Sequence, residues 1–479
     1  MLPSADRLDA RSWFLVLPDC PSAERIAGTF HARQTKQVSH PSGRPWLVGW
    51  WPDDAFAMGL AGETKIALIG QHAVNDEQLS VACARIHSIT DLDPFARSLP
   101  GSAHLAASVG GRVRVQGTLT GIRRVFHAQV GDAVVAADRA DVLARLLGAE
   151  VDAHRLALHL LDAAALYPVA GEPVWRGVKV LDTMHYLLLE RDGQQRTTKW
   201  WTAPQPVVPM REGALALGEA LSVAVGVRVR GRQLVSADLG GLDSTSVCCL
   251  AAAASPVVVA YTADGRDPMA EDALWARRTV AHFDNVEHHV IPGDRLPSLY
   301  DGLRETDDCF DEPSALSVLR NRSLFIPRQA AARGSQLHLT GFGGDELLAG
   351  SPAHLHAMLR RNPRLALRHA RGFATQRAWR YRDALRQLMD GTPYRQWLAH
   401  AADGLTGPPL GQDTPTLNWG AAPRLPPWAT PHAAAAVRDV IRTAAGDVEP
   451  LAPQRGLHVE LEAMRTTSRM VRQLGEMTA

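Results

Sequence analysis

The spacing of hydrophobic positions changes character near residue 200. Before it, apolar residues come in short runs and alternations closed by turn signals. Trp13 to Leu17 is an apolar run, Arg112 to Gln116 alternates, and Ala133 to Ala137 follows the Gly131-Asp132 turn. Met184 to Glu190 ends at a second turn, Asp192-Gly193. Period-two segments between turn residues predict strands, so this part of the chain is predicted to be β-rich. Helical spacing interrupts it at Asp141 to Leu147 and Ala153 to Leu161.

Three prolines fall between Thr202 and Pro209, which predicts a linker over 202–210 between domains at 1–201 and 211–479. Beyond it the pattern alternates. A helix is predicted from about Glu212 to Val227, a strand over Leu234 to Leu239, a helix over Ser244 to Ala254 and a buried strand over Val257 to Thr262. Ala270 to Phe283 reads as a helix, and Val286 to Ile291 and Gln336 to Thr340 as strands. Strands alternating with helices imply a doubly wound parallel sheet, an α/β fold whose ligands bind at the carboxyl ends of the strands. Ser351 to Asp390 is helical and arginine-rich, and Gly391 to Pro431 is full of Pro, Gly and Trp. Leu457, Leu461, Met464, Val471 and Leu474 have helical spacing, and no stop signal separates them from Ala479. On that pattern the chain is expected to be incomplete at this end.

Composition narrows the function classes. The formal net charge of the 479 residues is +1, which gives no reason to expect a nucleic acid or an anionic membrane as partner. The five cysteines, Cys20, Cys83, Cys248, Cys249 and Cys309, match neither a disulfide framework nor a zinc site. A reducing cytoplasm is expected. Met1 to Arg11 has no apolar signal core, and Ser255-Pro256 breaks the apolar stretch from Val247 to Ala263, which reads as helix then strand and not as a membrane span.

Two glycine turns carry the candidate chemistry. Leu239-Gly240-Gly241-Leu242-Asp243-Ser244-Thr245 joins a predicted strand to a predicted helix. Glycines let the backbone approach a ligand and turn its N–H groups inward, and the helix start favours an anion. Ser244 and Thr245 sit where a hydroxyl can cap the helix or bind that anion. Phosphate is the expected ligand, with Asp243 holding Mg²⁺ against it. No Gly-Lys-Ser/Thr occurs and no lysine follows Lys199, which excludes a P-loop kinase. The second turn, Thr340-Gly341-Phe342-Gly343-Gly344-Asp345-Glu346-Leu347, also follows a strand and offers Asp345 as a second carboxylate. Carboxylates from two strand ends can share Mg²⁺ across a pyrophosphate. Each turn alone is also compatible with an ordinary strand-to-helix connection.

Taken together, Gly240-Gly241-Leu242-Asp243-Ser244-Thr245 and Gly341-Phe342-Gly343-Gly344-Asp345-Glu346-Leu347 resemble the synthetase half of the asparagine synthetase superfamily. Gly131-Asp132, Asp138, Trp175 to Lys179 and Trp200-Trp201 resemble landmarks of its N-terminal glutaminase-like domain, and Glu271-Asp272 and Glu287-His288-His289 fall where the synthetase half carries similar residues. The resemblance implies an N-terminal Ntn-hydrolase-like αββα domain and a C-terminal ATP-pyrophosphatase domain. It also implies ATP and Mg²⁺ as cofactors and AMP and pyrophosphate as products. Nucleotide-binding residues would be Gly240, Gly241, Asp243, Ser244, Thr245, Gly343 and Gly344, and the metal and catalytic residues Asp243 and Asp345.

Departures from the superfamily pattern narrow the choice. A working glutaminase there needs a cysteine directly after the initiator methionine, and Leu2 and Pro3 follow Met1 here. Glutamine should therefore not be consumed, which leaves β-lactam synthetases and lasso peptide cyclases as relatives. β-Lactam synthetases carry a catalytic tyrosine where this chain has Phe342. Asp311-Glu312-Pro313-Ser314, the arginine-rich helix and Leu425-Pro426-Pro427-Trp428 resemble lasso peptide isopeptide-bond-forming cyclases of actinobacterial type. That resemblance implies a precursor peptide as substrate, with a leader-peptide-binding protein and a leader peptidase as partners. Two superfamily features are missing: a serine before the paired glycines, where Leu239 stands, and a lysine near the C-terminus. Another ATP-dependent amide ligase, a catalytically dead nucleotide- or peptide-binding scaffold, and a tRNA-modifying pyrophosphatase are the alternatives. The nine arginines from Arg360 to Arg386 are expected to be a solvated face, with an acidic-peptide grip as the other reading. Trp379, Trp397, Trp419 and Trp428 are each expected in the core, with a peptide groove as the alternative.

Overall fold

The computed structural model describes residues 11–30, 35–161, 166–265, 269–304 and 310–478. Met1, Leu2, Pro3 and Cys309 lie outside them. The chain forms two compact units. One comprises Met1–Leu147, Leu181–Asp345 and Met470–Ala479; the other comprises Gly148–Val180 and Glu346–Arg469.

The first unit contains strands β1 (Trp13–Val16), β2 (Lys36–Ser39), β3 (Pro45–Trp50), β4 (Phe56–Ala61), β5 (Thr64–His72), β6 (Gly101–Val109), β7 (Arg112–Gln116), β8 (Phe126–Val130), β9 (Ala133–Ala137), β11 (His185–Leu189) and β12 (Gln195–Lys199), while β10 (Lys179–Val180) belongs to the second. The strands of the first unit make two sheets, in the orders β8-β9-β1-β3-β2 and β12-β11-β7-β6-β5-β4. Phe14, Trp46 and Ala136 of one sheet pack with Ile69, Val115 and Leu187 of the other. On its outer side the second sheet packs Ile66, Leu68 and Leu188 against Leu79, Cys83 and Leu92, from the helices Asp76–Cys83 and Leu92–Ser98. Helix Ala140–Leu147 packs on β8 and β9 of the first sheet. The layering is αββα. The alternation of β7 holds for Val113 and Val115, yet Arg114 is fully buried as well. Its guanidinium lies over the Tyr186 ring at 3.9 Å and donates to Asp93, so a charge at a nominally outward position is paired and stacked instead of solvated.

Residues 201–209 form no helix or strand. The parallel sheet follows. It consists of β13 (Leu234–Asp238), β14 (Val257–Asp264), β15 (Val286–Pro292) and β16 (His338–Leu339), in the order β15-β14-β13-β16. Helices α1 (Met210–Val229), α2 (Leu242–Ala254) and α3 (Asp272–Val280) place Val229, Ala251 and Ala276 against Val235, Ala237 and Ala260. Helix α4 (Arg320–Ala332) packs Phe325, Ile326 and Ala330 on the opposite face, against Val259 and Tyr261. Helices on both faces explain why Val257 to Ala260 of β14 run apolar without alternation. The C-terminal helix α5 (Arg455–Thr478) returns to this unit with its last residues, where Met470, Leu474 and Met477 pack with Leu316 and Leu324.

The second unit is helical. Tyr394, Leu398, Val437 and Ile441 form its core with Ala157 and Val169. The arginine-rich stretch is not one helix. Asn362 caps Pro363–Gln376 by accepting from the Leu365 N–H at 3.1 Å, and Ala378, with φ of 55°, breaks the chain before Tyr381–Met389. A helix also forms inside the Pro/Gly-rich stretch, at Tyr394–Asp403, because Pro393 sits just ahead of it and obstructs nothing. Among the described residues no helix is long and apolar enough to cross a membrane.

Candidate active site

The strand order fixes where a site can lie. From β13 the chain winds through β14 to β15, then returns to pair β16 with the other side of β13. The strand order thus reverses between β13 and β16, and the carboxyl ends of these two neighbours flank a crevice at this switch point. Both glycine turns emerge there.

The turns interlock because they contain glycine. A Cβ on Gly341 would sit 2.4 Å from the Ser244 nitrogen, and one on Gly344 would sit 2.2 Å from the Asp243 carboxyl carbon. A larger residue at Gly341 would push the second turn off the first, and one at Gly344 would displace the Asp243 carboxylate. Gly241 precedes α2 as its N-cap, without a side-chain cap. Ser244 is therefore inside the first turn of the helix, and its hydroxyl donates to the Gly241 carbonyl at 3.2 Å. Of the two roles open to the Ser244 hydroxyl, capping the helix is not the one seen, and the first-turn N–H groups are further donors left for an anion. Gly240 lies against Asp272, whose Cβ would be 3.2 Å from an added Cβ, so a third carboxylate borders the first turn.

A cavity of about 890 Å³ opens beside the turns. Gly241, Asp243, Ser244, Gly341, Phe342 and Asp345 form one end. Leu324 and Pro327 of α4 and Val471 and Leu474 of α5 form apolar walls. Thus Gly241, Asp243, Ser244 and Asp345 come together on one cavity. Gly344 lies behind Asp243, whereas Gly240, Thr245 and Gly343 shape the turns without lining it. Among the described residues no group of three or more His, Cys, Asp or Glu has metal-holding geometry. Two carboxylates on one wall nevertheless suit Mg²⁺, a hard cation that takes few protein oxygens and fills its shell with water and phosphate.

The end of α5 is held in place by charge. Arg472 donates to Asp311 at 2.7 Å, to Glu312 at 2.6 Å and to Glu476 at 2.6 Å. All four side chains are nearly buried, which strengthens each pairing and fixes the Val471–Leu474 wall. Asp311-Glu312, singled out in sequence, thereby has a structural task. Leu239 is buried with Val235, Ala237 and Cys248 in the helix-facing core, so it serves packing.

His288 and His289 lie within β15 and not at its end. His288 Nε2 is 2.8 Å from the Thr262 hydroxyl, and burial lowers its pKa; His289 Nε2 is 2.7 Å from Glu287. Both have structural partners. The arginines from Arg360 to Arg386 are exposed. Trp379, Trp397 and Trp419 are buried, and Trp428 is 73% exposed. Sequence reasoning missed Asp238, His338 and the α4 wall. The polar residues Asp238 and His338 in otherwise apolar strands were the available signal.

A family model described as Asparagine synthase matches residues 216–456. The chain belongs to this family, which places it among ATP-dependent amide (C–N) ligases. No curated protein matches the sequence significantly. Among solved structures, the chain is similar to the glutamine phosphoribosylpyrophosphate (PRPP) amidotransferase from B. subtilis complexed with ADP and GMP. That match has 11% identity and a TM-score of 0.25, and covers 69% of this chain and 90% of that one. A second match, described as the allosteric regulatory enzyme of purine biosynthesis, has 11% identity and a TM-score of 0.26, and covers 69% and 89%.

Proposed function

We propose that the chain closes a macrolactam in a ribosomally made lasso peptide. A side-chain carboxylate of the peptide attacks the α-phosphate of ATP and forms an acyl-adenylate with release of pyrophosphate. The peptide's own N-terminal amine then displaces AMP and forms the isopeptide bond. Asp243 and Asp345 would hold Mg²⁺, which neutralises charge on the leaving pyrophosphate. The Gly240–Gly241 backbone and the first-turn N–H groups of α2 receive the phosphates.

The observation that carries the ligase chemistry is the meeting of Asp243 and Asp345 on one cavity at the switch point of the sheet. Support for a peptide comes from the cavity. Its 890 Å³ exceeds what a nucleotide's phosphates need, and Leu324, Pro327, Val471 and Leu474 give it apolar walls. The exposed side chains of Leu242 and Phe342 extend this surface at the turns. Holding amine and acyl group together favours the second step by on the order of 7–11 kcal/mol, so positioning is the main contribution asked of these walls. A leader-binding protein and a leader peptidase would deliver the trimmed peptide.

The reading is tested by incubating the chain with ATP, Mg²⁺ and a linear core peptide that begins with glycine and carries an acidic residue several positions on. The expected result is peptide-dependent AMP and pyrophosphate, with a product one water lighter than the peptide. Formation of asparagine from aspartate and ammonia, with no effect on the peptide, would overturn it.

A further inference from the structure

The same cavity holds a pair of groups for which phosphate handling has no use. Asp238 is the last residue of β13 and His338 the first of β16, and the parallel register sets His338 opposite Ser236. His338 Nε2 lies 3.1 Å from Asp238 Oδ1, and its Nδ1 lies 3.0 Å from the Ser236 hydroxyl. An ionised carboxylate only accepts, so Nε2 carries the proton and donates it to Asp238. Ser236 in turn accepts from the Ser335 hydroxyl at 3.1 Å. The imidazole is therefore fixed at both nitrogens. Its side chain is 11% exposed, while that of Asp238 is 35% exposed. A buried, doubly bonded histidine orients a more open carboxylate, and both residues line the cavity that Asp243 and Asp345 also line.

Among the described lining residues there is no lysine or arginine. Phe342, in the turn that follows β16, has no proton to exchange. A primary amine enters such a site as ammonium and must lose a proton before it can attack. Asp243 and Asp345 are poor acceptors once committed to a cation. We infer that Asp238, oriented by His338, binds the attacking amine as its ammonium and takes its proton in the acyl-transfer step, with His338 as the positioning residue. This rests on the ligase reading above. In the step, the ammonium gives one proton to the Asp238 carboxylate. The neutral nitrogen attacks the acyl carbon, the C–N bond forms, and the C–O bond to phosphate breaks with its electron pair leaving on AMP. The remaining excess proton on nitrogen passes to water.

The test separates the two half-reactions in the full chain, with a linear core peptide bearing an N-terminal glycine and an internal aspartate. Asp238→Asn keeps an acceptor for His338 and removes the base. It should slow amide formation by about 10²–10⁴-fold, the range of general-base catalysis, while carboxylate-dependent ATP–pyrophosphate exchange persists. Hydroxylamine, a weakly basic amine that is already neutral at neutral pH, should still trap the adenylate as hydroxamate in this variant. His338→Gln should lower the amide rate less and displace its pH profile. An Asp238→Asn chain that loses exchange and amide formation equally, or neither, would overturn the assignment alone. An unaltered chain with no exchange and no hydroxamate would overturn the ligase reading and this assignment with it.

Discussion

The antiparallel sandwich and the parallel sheet use polar residues in opposite ways. In the sandwich, buried charged and imidazole side chains are paired with neighbours. Arg114 is paired with Asp93, and His104 Nε2 lies 2.8 Å from the Arg124 carbonyl oxygen with its ring edge-on to Phe14. In the parallel sheet, the strand ends present Asp238, Asp243 and Asp345 to an open cavity. One region spends its polar groups on holding itself together, and the other leaves them available to a ligand. A chain with a ligand-handling half and a structural half should therefore divide cleanly under mutation.

The largest effect is expected at the glycine turns. Asp243→Ala and Asp345→Ala should each lower peptide-dependent pyrophosphate release by at least about 10²–10³-fold, with an unchanged far-ultraviolet dichroism spectrum. In the sandwich the order reverses. Trp46 is fully buried between the sheets, so Trp46→Ala should cost about 3–5 kcal/mol in denaturant unfolding while the folded fraction retains its turnover. Loss of turnover without loss of stability there would break the division.

A smaller effect distinguishes the regions by pH. Burial lowers the pKa of His104 from 6.5 to about 3. Its folded value lies below its unfolded one, so below pH 6.5 the unfolded chain takes up the proton first. The stability contributed by neutral His104 is complete above that pH and is lost as pH falls toward 3. Between pH 7 and pH 5 it should decline by on the order of 1–2 kcal/mol, and His104→Gln should flatten that slope in denaturation midpoints. The smallest effect is expected on the exposed arginine face: Arg364→Glu and Arg368→Glu should change stability by no more than about 0.5 kcal/mol. A large loss of peptide affinity in these two variants would instead favour the acidic-peptide grip.

Sequence periodicity located the parallel sheet well because its central strands β13 and β14 are buried on both faces and its helices carry turn signals at their ends. Predicted and observed bounds of β13, β14 and β15 differ by one or two residues. β16 shrinks to His338–Leu339 because only two residues pair with β13. The turns were legible because their glycines, Asp243 and Asp345 are contiguous in sequence. Asp238 and His338 were not, because their meeting depends on a strand register spanning 100 residues. The sandwich was read only in part. Strands such as β5, with Ile66 and Leu68 facing helices and Ala67 and Ile69 facing the other sheet, lack the alternation that marks a half-exposed strand.

The most direct test of the account is ATP–pyrophosphate exchange driven by a linear core peptide in the presence of Mg²⁺. The account predicts peptide-dependent exchange that disappears in Asp243→Ala and in Asp345→Ala. Exchange that survives both substitutions, or none in the unaltered chain, would contradict it.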